Sequence, residues 1–322
     1  MARRIFKRLR WLPFLATAIY ATFPLFAQDS NLPHPIEDIE RMLSYDPVEI
    51  TLFRDIRFEG DKAKTAILKR DDGFFVRAKF KRAAVGGEAF NNQPRYEIAA
   101  YKLQTLFLKP ENYVVPPTVG RGFPLHMYQE LDRHAQPTFK ESSEVFCVVQ
   151  YWLNEVTTHD IFDKERFNSD TLYAKYLGNL NIFTYLIKHD DPNIGNILIS
   201  TDPSNPRVFA VDNGVAFGDF KSDPGSIWRS IRLKRLPKET LDRLRQIKYE
   251  DLTRMLSVVA QYIVVNGQLM RMEPTSNLDQ RRGVRKLAGI IQFGLTKSEI
   301  DGIHHRLKAL LHQVDSGKIE TF

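Results

Sequence analysis

Two short segments late in the chain bring acids and amides together at spacings that can do chemistry. The first is Asp191-Pro192-Asn193-Ile194-Gly195-Asn196, and the second is Asp212-Asn213-Gly214. Between them lie Ile197-Leu198-Ile199, a turn at Asp202-Pro203-Ser204-Asn205-Pro206, and Val208-Phe209-Ala210-Val211, which read as a short β-hairpin. A hairpin returns its exit beside its entry, so the spacing predicts that the two segments meet in one pocket. The amide of Asn196 and the carboxylate of Asp212 then offer two hard oxygen ligands, suited to Mg²⁺ or Mn²⁺ with water and phosphate completing the shell. Asp191 is left to accept a proton from an attacking hydroxyl. That is the division of labour of metal-assisted phosphoryl transfer, in which the protein positions and neutralises more than it reacts. Asp190 competes for the base role, but Asp191 alone stands five residues before Asn196.

The early part of the chain holds the charge such a site lacks. Lys81 ends a predicted strand, and Glu97 lies sixteen residues on, in a predicted helix. A strand Lys held by a helix Glu presents a fixed cation to nucleotide phosphates. Lys79 shares the face of Lys81 by strand alternation and is its competitor. Glu97 has a plainer alternative, a surface ion pair with Arg95 or Lys102.

The elements that must carry these groups can be read in outline. Residues 50–82 read as strands, with Asp71-Asp72-Gly73 turning one hairpin. Residues 94–108 read as a helix with Pro94 in its first turn and Ala99, Leu103 and Leu106 on one face. Two further strand-like runs are expected at 124–131 and 145–152. Leu172, Tyr176, Leu180, Phe183 and Ile187 mark one buried stripe of a long helix, stopped before Pro192. Residues 239–315 are expected as three or four amphipathic helices. The predicted fold class is α+β, with a small strand-rich half over 28–150 and a larger, mainly helical half over 151–322.

These residues resemble a known group of enzymes. Lys79-Phe80-Lys81, then Glu97-Ile98-Ala99-Ala100-Tyr101-Lys102-Leu103, then Val115-Pro116-Pro117-Thr118-Val119-Gly120-Arg121 look like the small lobe of the secretory-pathway kinases of the Golgi casein kinase and four-jointed type. Asp212-Asn213-Gly214-Val215-Ala216-Phe217-Gly218 and the Ser226-Ile227 stretch continue the likeness, over roughly residues 65–240. Type II phosphatidylinositol kinases share the Asp-x-x-x-x-Asn and Asp-Asn-Gly elements. The resemblance implies a two-lobed, protein-kinase-like fold and ATP-dependent phosphoryl transfer to a hydroxyl, on a protein Ser/Thr or a glycan, often with Mn²⁺. It also implies that Lys81 contacts phosphates, Glu97 supports Lys81 or the metal, Asp191 is the base and Asp212 holds metal. A pseudokinase acting as a binding module, or a phosphoinositide-type lipid kinase, are the alternatives. No convincing Gly-rich phosphate loop is seen; Glu59-Gly60-Asp61-Lys62 is the candidate.

Composition narrows the remaining choices. The 322 residues carry 46 Lys+Arg against 39 Asp+Glu, but the first 27 hold five bases and no acid, so the rest is nearly neutral. Such a body lacks the positive field that phosphate-backbone binding needs, and nucleic acid is not expected as a partner. Residues 1–10 are basic, Trp11 to Phe26 uncharged and largely apolar, and Ala27 small, the order of a secretory signal over 1–27. The expected location is therefore exported, periplasmic or secreted. The alternative is a membrane anchor formed by residues 11–27 if that segment is not cleaved. Cys147, alone in the run Val145 to Val149, reads as a buried small hydrophobe. His189, the late histidines His304, His305 and His312, and the basic run Arg229 to Lys238 read as packing or solvated surface.

Overall fold

The structure, a computed structural model, describes residues 29–55, 63–89, 92–130, 132–189, 194–218 and 232–322. The stretch 1–27 expected as a secretory signal, the Glu59-Gly60-Asp61-Lys62 candidate for a phosphate loop, Asp190, Asp191 and the Ser226-Ile227 stretch lie outside the described residues.

The described chain starts with a strap, 29–32, then helix α1 (Ile36–Ser44) and strands β1 (Glu49–Asp55), β2 (Ala63–Lys69) and β3 (Phe75–Arg82). The predicted Asp-Asp-Gly turn joins β2 to β3. Gly73 takes φ +86°, which costs glycine little, and the Asp72 carboxylate accepts from the Phe74 amide at 3.0 Å. Helix α2 (Pro94–Gln104) follows with Pro94 at its first position. Then come β4 (Thr118–Pro124), α3 (Leu125–Gln129) and β5 (Glu144–Tyr151), completing an antiparallel sheet of order β1-β2-β3-β5-β4. The run at 124–131 is therefore not a strand: Pro124 ends one and the helical turn α3 begins. The true strand is masked by Gly120 and Gly122. At Gly120 a Cβ would lie 2.5 Å from the Phe146 ring and 2.7 Å from the Tyr262 hydroxyl, so only glycine lets the layers approach so closely.

Next come β6 (Val156–Thr157), α4 (Lys164–Ser169), α5 (Thr171–Ile187), β7 (Ile197–Ser200) and β8 (Val208–Ala210), with β6, β7 and β8 forming a small antiparallel sheet. Asp170 caps α5, accepting from the Leu172 and Tyr173 amides. The helix is not amphipathic in the expected way. Leu172 is exposed, while Tyr173, Ala174, Leu177, Ile182 and Leu186 are buried alongside the predicted stripe, so α5 is a core helix enclosed on nearly every side.

The last third departs most from expectation. After β9 (Arg235–Leu236), α6 (Lys238–Leu244) and α7 (Tyr249–Leu256), the chain forms a four-stranded antiparallel sheet rather than more helix. Its strands are β10 (Ala260–Val265), β11 (Gln268–Met272), β12 (Val284–Leu287) and β13 (Ile290–Phe293), in the order β11-β10-β13-β12. Asn266-Gly267 and Ala288-Gly289 turn its two hairpins with both central residues at positive φ, the geometry that matches strand twist. Helix α8 (Lys297–Asp315) and β14 (Glu320–Thr321), parallel to β9, close the chain. This second sheet packs on the first: the Tyr262 hydroxyl donates to the Gly120 carbonyl at 2.6 Å, and the Phe146 and Phe293 rings stack at 4.4 Å.

Two apolar cores result. One lies between α1 and the first sheet and includes Cys147, fully buried, its thiol pushed up to about 12 by desolvation. The larger runs from α2 through α5 to α8 and the second sheet. Among the described residues no helix is long and apolar enough to cross a membrane.

The strap is tied down by polar contacts. Asn31, fully buried, donates from Nδ2 to the carbonyls of Asn154 at 2.9 Å and Glu155 at 3.0 Å, and Asp29 pairs with the buried Arg207.

Candidate active site

The hairpin and the first sheet meet at a cleft of about 900 Å³. Its walls include Arg77, Lys79, Gln150 and Trp152 from the sheet side and Asn196, Leu198 and Asp212 from the hairpin side. Alternation along β3 turns Arg77, Lys79 and Lys81 toward one face.

Lys81 is the centre of the charge arrangement. Its Nζ lies 2.5 Å from Asp212 Oδ1 and 3.6 Å from Glu97 Oε1, and Lys79 Nζ lies 3.6 Å from Asp212 Oδ2. Glu97 is buried on α2 and accepts from the Asn213 amide through Oε2 at 2.8 Å. Helix α2 and the segment after β8 are thus joined through a carboxylate that also faces the lysine. The surface pairing of Glu97 with Arg95 does not form; Arg95 turns to Glu299 and Glu88. Asp212 sits at φ +57°, a conformation an aspartate tolerates better than most residues. A Cβ on Gly214 would come within 3.3 Å of both Glu97 Oε1 and Lys81 Nζ, so a glycine there lets the backbone run close to the pair.

Asn196 arrives as the hairpin geometry predicts. Its carbonyl accepts from the Val211 amide at 2.9 Å, so the hairpin's entry and exit are stitched one residue before Asp212. Its side chain is buried at the cleft, and Nδ2 has no hydrogen-bond partner among the described residues; the same holds for both amide atoms of Asn213. Buried amides without partners are uncommon and mark places where a further group completes the bonding. The structure therefore brings Lys81, Glu97 and Asp212 together and places Asn196 on the same cleft, while Asp191 lies outside the described residues.

Sequence reasoning placed a strand over 145–152 but missed that its end, Gln150 and Tyr151, and Trp152 just beyond it line the cleft. The Trp152 amide donates to the Arg77 carbonyl at 2.9 Å, and the Arg77 guanidinium lies 4.5 Å from the indole ring centre. An aromatic residue directly after an apolar strand was the available signal.

Burial pushes the Glu97 carboxyl up to about 7, against the pull of Lys81, with the Asp212 charge adding to the rise. Asp212 moves the other way: burial opposes its charge, but Lys79 and Lys81 outweigh that and hold it below the usual carboxylate range. In metal-free buffer Glu97 takes up a proton in the fold well above its ordinary value of 4.5. Its contribution to stability is therefore fully present below pH 4.5 and is lost as pH rises toward 7. Denaturation midpoints measured from pH 5 to 8 are expected to fall more steeply in the wild type than in Glu97→Gln. Equal slopes would place the ionisation elsewhere.

The antiparallel sheet carrying the lysine, the helix carrying the glutamate and the hairpin delivering the aspartate belong to one mixed α/β fold. It is similar to a solved structure described as hydra Fam20 with sugar, with a TM-score of 0.52 over 88% of this chain and 88% of that one, at 16% sequence identity. No family model and no curated protein matches the chain.

Proposed function

We propose that the protein is an exported, ATP-dependent phosphotransferase that moves a phosphoryl group from nucleotide to a hydroxyl of a protein Ser/Thr or a glycan. One observation carries the reading: a buried strand lysine held between a helix glutamate and the aspartate of an Asp-Asn-Gly segment, with that aspartate on the wall of a cleft of about 900 Å³. The likeness of fold to Fam20, of the secretory-pathway atypical kinases, supports the same class. In this reading residues 28–150 and 151–322 act as the two lobes about the cleft, and the basic-then-apolar stretch 1–27 directs export.

Each residue then has a task. Lys81 contacts nucleotide phosphates, and Glu97 keeps its ammonium in place. Asp191 accepts the proton of the acceptor hydroxyl as its oxygen bonds to phosphorus and the diphosphate departs. Asp212 and Asn196, both on the wall of the cleft, are the oxygen donors that would hold Mg²⁺ or Mn²⁺. The metal, when bound, neutralises charge on the transferring phosphates.

Thermal unfolding with and without ATP plus Mn²⁺, in wild type and Asp212→Ala, tests this. A ligand at 100 times its Kd stabilises by about 2.7 kcal/mol, a clear rise in midpoint. The expected result is a metal-dependent rise absent from Asp212→Ala. No rise across several nucleotides and metals would overturn the reading, and a rise without turnover would leave a nucleotide-binding module.

A further inference from the structure

Helix α2 carries Glu97, and the two residues before it grip something else. Arg95 is buried. Its Nη1 donates to Glu299 Oε2 at 2.6 Å and its Nη2 to Glu299 Oε1 at 3.0 Å, a two-pronged pair across 204 residues of chain. The Tyr96 hydroxyl donates to the same Glu299 Oε1 at 2.5 Å, and its ring lies 5.4 Å from that of Phe217, just beyond the Asp-Asn-Gly segment. Arg95 Nε reaches Glu88 at 2.8 Å.

Glu299 is itself immobilised. It is the third residue of α8, and its Oε2 accepts from the Thr296 amide at 2.7 Å, so the carboxylate that caps the helix also holds Arg95. The second sheet shapes the slot. A side chain at Gly283 would overlap the Arg95 guanidinium, and Arg95 Nη1 lies 3.4 Å from the Gly294 carbonyl. Three consecutive residues, Arg95, Tyr96 and Glu97, thus connect α8, the segment after Asp212 and the lysine of β3.

We propose that Glu299 is a positioning residue: through Arg95 and Tyr96 it braces α2 so that Glu97 stays on Lys81 and on the Asn213 amide. The second sheet and the start of α8 form a built-in clamp on the helix of the site, which holds the lysine–glutamate pair assembled. Its consequence for turnover rests on the phosphotransferase reading above; its consequence for Glu97 does not.

The experiment compares Glu299→Ala and Glu299→Gln with Leu307→Ala, which removes a buried side chain from the same helix but leaves the clamp. Hydrogen exchange at the Asn213 amide reports whether Glu97 is in place, because that amide donates to Glu97. Exchange in Glu299→Ala is expected to be about tenfold faster than in Leu307→Ala, with kcat about tenfold lower and KM for ATP little changed. Glu299→Gln, which can still accept from Tyr96, should fall between. Equal exchange in Glu299→Ala and Leu307→Ala overturns the clamp, as does faster exchange with undiminished kcat. Faster exchange in a protein whose wild type shows no turnover upholds the clamp and removes the phosphotransferase reading instead.

Discussion

Methionine in place of Lys81 is expected to lower phosphoryl transfer by about 10²–10³-fold, the scale seen when one preorganised electrostatic contact is removed from a transition state. The substitution keeps most of the side chain's length and removes its charge and its N–H donors. It also separates Lys81 from Lys79. Both reach Asp212, at 2.5 and 3.6 Å, but only Lys81 is also set against Glu97. Lys79→Met should therefore cost much less in rate. The assay belongs near pH 6, where Glu97, pushed up to about 7 by burial, can take a proton and relieve the charge that Lys81 leaves behind. Equal losses in the two variants, or none in Lys81→Met, would overturn the assignment of Lys81 as the phosphate contact.

The largest expected effect on folding lies away from the cleft, at Gly294. An alanine Cβ there would overlap the Ser257 carbonyl oxygen, and would lie 2.6 Å from the carbonyl carbon and 2.8 Å from Arg285 Nη1. None of these can step aside. The Ser257 carbonyl accepts from Arg285 Nη1 at 2.5 Å, and Arg285 also donates to the Arg282 and Leu295 carbonyls. Overpacking against fixed backbone costs about 3 kcal/mol, so Gly294→Ala should lower the thermal midpoint by roughly 5–10 °C. A midpoint within a degree or two of the wild type would show that α7 and β13 can part without loss.

What was legible in the sequence depended on whether the cause was local. The Asp71-Asp72-Gly73 turn, the Pro94 start of α2 and the burial of Cys147 follow from residues within a few positions, and they appear where expected. The meeting of Asn196 with Asp212 followed from one hairpin, itself local. The second sheet was hidden for a reason visible in its strands. Gln268-Leu269-Met270-Arg271-Met272 and Val284-Arg285-Lys286-Leu287 are rich in residues that also favour helix, and neither alternates cleanly between apolar and polar residues. Asn266-Gly267, flanked by Val264-Val265 and Leu269, was the signal that should have outweighed them. The partner of Arg95 lay beyond any local argument. Local spacing offers its charge Glu97 on the same helix, whereas the carboxylate that takes it, Glu299, enters from the far end of the chain.

The strap at the start of the described chain has a geometric consequence. Asn31 is bonded to the backbone of Asn154 and Glu155, which line the cleft, and Asp29 is held by Arg207 on the neighbouring hairpin. At no more than ~3.6 Å of reach per residue, a short tether joined to Asp29 has little freedom to leave the rim of the cleft. If residues 11–27 act as a bilayer anchor, the cleft is leashed to that surface, and under the proposed phosphotransferase reading acceptors would be sampled in two dimensions. If they are removed, the new amino group beside the rim becomes an attachment point for a fluorophore that senses occupancy of the cleft without altering a residue in it.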